Sequence, residues 1–289
     1  MRGGEERARF HVGCAVWSHS GWVGSFYPDG SRTADFLRLY AERLTAVEGN
    51  TTFYAVPTPE TVVRWAAHAP DSFHFCPKLP RVVTHEGALA PRIADARLFL
   101  ERTELFGRRL GPHFAQLPST YGSHHLDDLG RFLQAWPRED APLCLEVRHG
   151  GFYEESVRRE LNAMLRRLGV GRVVLDSRPI YARGAPAVHQ ERRKPNVPLH
   201  ADVTAGVAFV RFVGHPETER NAPYLDEWAE RIGAWLADGT DVYFFAHCPI
   251  EDFSPEIARG LHTRLVEAGA PVDALPWDSV RSAQQLDLF

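Results

Sequence analysis

The sequence predicts an α/β protein folded as a (β/α)₈ barrel. Eight short apolar runs recur along the 289 residues, and seven segments of helical period separate them. The runs are near-continuously apolar rather than alternating, as parallel strands covered on both faces require. They span His11–Ser18, Thr45–Tyr54, Phe73–Pro80, Gly111–Pro118, Pro142–His149, Arg172–Ser177, Ala208–His215 and Asp241–Cys248. A doubly wound open sheet is the alternative, because strand order alone does not close a barrel. No GxGxxG or GxxxxGK[ST] follows any run, so neither a dinucleotide site nor a P-loop is expected.

The helices follow from their stripes and ends. Asp35–Leu44 is short. Pro59–Ala69 opens on proline with Thr58 as its cap. Arg92–Leu110 carries Leu98, Leu105 and Phe106. His125–Trp136 sets Leu126, Leu129, Phe132, Leu133 and Trp136 on one face, and Glu154–Leu168 repeats the pattern. Pro223–Ala237 aligns Leu225, Trp228, Ile232 and Trp235, and Ser254–Ala268 closes at Gly269. The connection 178–203 lacks a helical period, is rich in proline and basic residues, and reads as a surface loop or lid over the substrate face. The barrel is expected over 11–275, flanked by tails at 1–10 and 276–289.

Composition excludes several classes. Hydrophobic residues make up 44% and charged residues 24%, the balance of a globular chain with a sizeable core. A net charge of -4 gives no global attraction to nucleic acid or anionic lipid. The polar start and the absence of a long apolar run predict a cytoplasmic protein with no membrane partner. Cys14, Cys76, Cys144 and Cys248 lie in separate runs with no CxxC spacing and read as small buried hydrophobes.

Function is read from the strand ends. In a barrel of this kind the active site is built at the C-terminal ends of the strands. Glu48 and Asn50, Lys78, Gln116, Glu146 and Arg148, Asp176, Arg211 and His247 fall there. Polar groups in a core are costly unless paired, so the ring is either a satisfied network, such as Glu48–Lys78 and Glu146–Arg211, or a ligand site. As a site, Lys78, Arg148 and Arg211 clamp an anion, with Asn50, Tyr54 and Gln116 completing substrate binding. Glu48, Glu146, Asp176 and His247 are the candidate catalytic residues, with Glu146 the leading base or ligand for a divalent metal. No histidine spacing marks a zinc site, and His68, His124, His125 and His262 read as surface residues on helices.

The stretches Val12-Gly13-Cys14-Ala15-Val16-Trp17-Ser18, Val47-Glu48-Gly49-Asn50-Thr51-Thr52-Phe53-Tyr54, Phe73 to Lys78, Gln116-Leu117-Pro118, Leu145 to His149 and Phe209 to Phe212 resemble the YecE-like family, domain of unknown function 72. The resemblance covers about residues 11 to 268 and implies a TIM-type barrel, similar to that of endonuclease IV and the sugar isomerases. Many relatives end the eighth strand with asparagines, where this chain has Ala246-His247-Cys248-Pro249.

Three functions remain open from sequence. One is an enzyme acting on a phosphate- or carboxylate-bearing substrate, including a nucleic-acid phosphodiester. Another is a sugar hydrolase or isomerase using Glu146 and Asp176, with Trp17 and Trp22 against the sugar. The third is a non-catalytic nucleic-acid-binding module. The last five residues, Gln285, Leu286, Asp287, Leu288 and Phe289, resemble the peptide by which bacterial replication and repair proteins bind the sliding clamp. Such a peptide offers Leu286, Leu288 and Phe289 to apolar pockets while Gln285 orients it.

Overall fold

The computed structural model describes residues 8–137, 141–182 and 195–280. Eight parallel strands form the centre: β1 (Phe10–Cys14), β2 (Ala46–Gly49), β3 (His74–Pro77), β4 (His113–Gln116), β5 (Leu143–Glu146), β6 (Gly171–Asp176), β7 (Val207–Val213) and β8 (Asp241–His247). Strand β1 pairs with both β2 and β8. Strands β3 and β4 meet through the bridges Phe75–Leu110 and Lys78–Phe114. The sheet therefore returns on itself, and the open doubly wound alternative is set aside.

The α-helical segments among the described residues include α1 (Phe36–Ala41), α2 (Thr51–Tyr54), α3 (Pro59–Ala67), α4 (Arg81–Thr84), α5 (Ile93–Thr103), α6 (Leu126–Ala135), α7 (Glu155–Leu168), α8 (Arg178–Tyr181), α9 (Ala222–Ala237) and α10 (Ser254–Glu267). Thr58 caps α3 by accepting from Thr61 N. The expected helix Arg92–Leu110 divides: α5 ends at Thr103 and a 3₁₀ segment runs to Arg109 around Gly107, whose φ of 57° suits glycine. The second strand is shorter than expected, because the chain turns into α2 at Thr51. Of the connection 178–203, α8 is helical, 195–203 has no regular structure, and 183–194 lies outside the described residues.

Register fixes which side chains enter the barrel. Cys144 pairs with Gly171, Val173 with Phe209, Leu175 with Arg211, and Arg211 with Phe245. Paired residues of a parallel ladder face the same way. The interior thus fills in layers. His11, His74 and Tyr243 stack at the N-terminal end, with the two histidine rings 4.2 Å apart. Cys76, Phe114, Cys144, Val173, Phe209 and Phe245 form an apolar middle. The charged residues form the top. All four cysteines are buried and outside any disulfide, and Cys76 and Cys144 are part of that apolar middle layer.

Outside the barrel, Val12, Val47, Val174, Phe212 and Phe244 pack beneath Tyr40, Trp228, Ile232 and Leu261 of the helices. Trp277 is buried against Phe26, so the packed body extends past residue 275, the expected edge of the domain. His262 is also buried, with Nε2 bonded to Asp273 O, and is not the surface residue its helix suggested. The segment after α10 covers it, a contact that helical period does not encode. Among the described residues no helix is long and apolar enough to cross a membrane.

Candidate anion site at the barrel mouth

The top layer is organised by Arg211. Its Nε and Nη2 donate to the two carboxylate oxygens of Glu48 at 2.7 and 2.8 Å, and Nη1 donates to Glu146 Oε2 at 2.5 Å. Arg148 Nε donates to the other Glu146 oxygen at 2.5 Å. Asn50 Nδ2 donates to Glu48 Oε1 at 2.6 Å and to Ala15 O at 3.1 Å. His247 Nε2 lies 3.0 Å from Glu48 Oε2. Glu48 and Glu146 are 0% and 1% exposed, yet every carboxylate oxygen has a donor. This is the condition for keeping two buried charges.

The consequence is electrostatic. Burial alone would raise Glu146, but Arg148 and Arg211 outweigh it and hold its carboxyl at about 2. Burial opposes Arg211 and His247 at Glu48 in the same way, and the net shift is well downward. Both carboxylates are ionised anchors rather than bases poised near neutrality.

Lys78 is the opposite case. It is 7% exposed, donates from Nζ to Gln116 Oε1 at 2.8 Å, and sits 4.3 Å above the Phe53 ring. Among the described residues no carboxylate lies within ion-pair distance of it, since Arg211 has taken Glu48 and Glu146. Burial first, and then the Arg211 charge, lower its pKa to about 7. The Phe53 face favours the ammonium form but contributes only about 1 kcal/mol. His85, set against Phe53 at 4.8 Å, is lowered to about 4 by burial and by Lys78 and Arg148. Cationic and aromatic groups thus converge at the C-terminal end of the strands.

The ring gathers Glu48, Asn50, Lys78, Gln116, Glu146, Arg148, Arg211 and His247. It does not include Asp176, which aligns with Phe212 on the outer face of β6. There its Oδ2 accepts from Trp228 Nε1 at 2.8 Å and its carboxylate takes the Arg178 guanidinium at 2.9–3.0 Å. The expected inward position is therefore corrected, because one strand's parity does not say which parity faces in. Tyr54 is 73% exposed, on the rim rather than in the ring. The expected Glu48–Lys78 pair is not made. Phe53 and His85 were missed, Phe53 because the Thr-Thr-Phe-Tyr run reads as strand while α2 swings it over Lys78.

Glu48 and Glu146 do not fit a divalent metal. Among the described residues no three of histidine, cysteine, aspartate and glutamate converge on one point, and the lone pairs of these carboxylates already receive arginine donors. Trp22 is fully buried with Nε1 on Glu251 O and offers no face to a sugar, whereas Trp17 is half-buried and packs edge-on against Trp65.

Similarity to known proteins decides the family. The model for the protein of unknown function DUF72 matches residues 11–280. The chain belongs to the DUF72 family. It is 35% identical over 277 residues to the UPF0759 protein YecE of Escherichia coli K12, covering 93% of this chain and 98% of that one. Among solved structures it resembles a DUF72 family protein of Thermotoga maritima MSB8, with TM-score 0.66, 20% identity and coverage of 90% and 99%. It also resembles one of Enterococcus faecalis V583, with TM-score 0.66, 16% identity and coverage of 89% and 94%. At these identities the DUF72 structures speak for the fold alone.

Proposed function

We propose that the barrel mouth binds and processes a phosphate- or carboxylate-bearing substrate, with the anion held between Lys78 and Arg148. The observation that carries this reading is the division of labour in the ring. Arg211 and Arg148 together balance the two glutamates, and the terminal nitrogens of Arg148 and two N–H groups of Lys78 retain no protein partner among the described residues. Arg148 uses only Nε on Glu146, which leaves its two terminal nitrogens for a bidentate contact with an oxyanion. Acid–base work in this reading belongs to Lys78, not to Glu146 as the sequence suggested. The Glu146–Asp176 sugar chemistry loses its second carboxylate to the helix layer.

Calorimetric titration with inorganic phosphate and a phosphate monoester tests the reading. Binding is expected to weaken as salt rises from roughly 50 to 200 mM. Arg148→Met is expected to weaken it on the order of tenfold, the usual worth of a charge-assisted contact. Equal affinity in both proteins would remove Arg148 from the site.

A nucleic-acid phosphodiester is a specific form of this substrate. Exposed aromatics on the short helical segments after β2, β6 and β8 favour it: Tyr54, Tyr181 and Phe253 are 73%, 40% and 37% exposed. Bases stack on such rims without sequence preference. The C-terminal peptide gives independent support for a role in replication or repair, although Gln285 to Phe289 lie outside the described residues. Micromolar affinity of the chain for a bacterial sliding clamp, abolished by Leu288→Ala with Phe289→Ala, is expected. Undiminished binding by that double variant would dismiss the peptide as the anchor.

A further inference from the structure

The chain contains 33 lysines and arginines, of which only Lys78 and Lys194 are lysine. Lys78 is the only lysine among the described residues, and it stands at the end of β3 in the barrel mouth. Wherever else the described residues need a cation, arginine supplies it, including Arg148 and Arg211 beside Lys78. The two side chains differ in one chemical respect that matters here. A buried lysine can lose its proton and become a nucleophile, whereas arginine does not.

From this placement we infer that Lys78 is an amine nucleophile that condenses with the aldehyde or ketone carbon of an anion-bearing substrate. The inference rests on the anion site proposed above and names the substrate class for it, with the terminal nitrogens of Arg148 keeping the anion while Lys78 engages the carbonyl. Charged neighbours face Nζ from β2 (Glu48), β5 (Glu146), the segment after β5 (Arg148) and β7 (Arg211), and the titratable His85 follows α4. Neither glutamate is within ion-pair distance of it, and both are held by arginine. A lysine kept only for stability would take one of those carboxylates. Burial and cationic neighbours instead leave a large fraction of Lys78 unprotonated at neutral pH. Gln116 Oε1 accepts one N–H and fixes the direction of the amine.

The step balances without a cofactor. The Nζ lone pair forms a C–N bond to the carbonyl carbon as the C=O π pair moves to oxygen, and one proton passes from nitrogen to that oxygen to give a neutral carbinolamine. That hydroxyl leaves as water with one solvent proton, and a protonated imine remains on Lys78. No oxidant or reductant takes part.

Reductive trapping in the full-length chain tests this. Glyoxylate, a small aldehyde with a carboxylate, is added with cyanoborohydride, whose hydride reduces an imine to a stable secondary amine. Peptide mapping then separates Lys78 from Lys194 and the terminal amine. The expected result is an adduct on Lys78 whose rate rises through about pH 7 and, at pH 7, exceeds that on Lys194 on the order of tenfold. Inorganic phosphate should slow labelling of Lys78 and leave Lys194 unaffected. Absence of a Lys78 adduct, or one that rises only with Lys194 near pH 10, overturns the inference while leaving any phosphate affinity seen by calorimetry intact. Neutral glycolaldehyde is the second arm. If it labels Lys78 as fast as glyoxylate, the nucleophile stands and the anion site falls. Wild type alone decides these outcomes, and Lys78→Arg, which retains a cation, should abolish the adduct.

Discussion

Arg211→Met is expected to destabilise the fold by about 3–5 kcal/mol, because it removes the guanidinium shared by two buried carboxylates and leaves Glu48 with only Asn50 and His247 and Glu146 with only Arg148. In a chain of this size that is a fall in Tm of about 10 °C. Adding Glu48→Gln and Glu146→Gln should recover much of the loss, since the uncompensated charge, rather than missing packing, carries the cost. The effect has a definite pH dependence. In wild type the Glu146 carboxyl is held at about 2, below its unfolded value, so its stabilisation is present above about pH 4.5 and is lost as pH falls towards 2. In Arg211→Met the desolvated carboxyls bind protons more readily than in the unfolded chain, so acid relieves the variant. The two stability curves should converge on acidification. A constant difference between pH 7 and pH 4, measured by urea unfolding, would contradict the network.

Lys78→Met is expected to do the reverse near neutrality and raise stability by about 1–2 kcal/mol at pH 6. The folded-state pKa of about 7 lies below the ordinary lysine value near 10.5. Between those values the unfolded chain binds more protons, so wild-type stability climbs as pH rises from 7 to 10.5. Below pH 7 the full cost of the buried ammonium is present. Methionine removes that cost at pH 6, offset by about 1–3 kcal/mol because Gln116 Oε1 loses its donor. Near pH 10 wild-type Lys78 is neutral and keeps its hydrogen bond, so the variant's advantage should vanish or change sign. A stability gain from removing a group in the mouth is what functional strain produces. A variant less stable at both pH values would mean that Lys78 serves the fold.

The barrel was legible because its strands are parallel and covered on both faces, which makes each an apolar run with little alternation. Its helices show the same clarity wherever an apolar stripe extends over several turns, as in α6, α7, α9 and α10. Segments of a single turn carry no such period, and α2, α4 and α8 were missed for that reason. At the site, the residue types at the strand tops were readable, but their partners were not. Glu48 is paired by Arg211, which comes from β7 across the barrel, and not by Lys78 on the adjacent β3, because a long guanidinium reaches two carboxylates at once. Asp176 shows the limit of reading one strand alone. Its strand-end position is right, but the register with β7 turns Leu175 inward and Asp176 to Trp228. His85 lies after a one-turn helix with no pattern to mark it, so its approach to Lys78 and Phe53 emerges only from the fold.

A crystal structure of the full chain soaked in inorganic phosphate tests the central claim most directly. The account predicts a phosphate about 3 Å from both Lys78 Nζ and the terminal nitrogens of Arg148, with Arg211 still bidentate on Glu48. A mouth empty of phosphate at saturating concentration, with Lys78 turned onto Glu48 or Glu146, would contradict it.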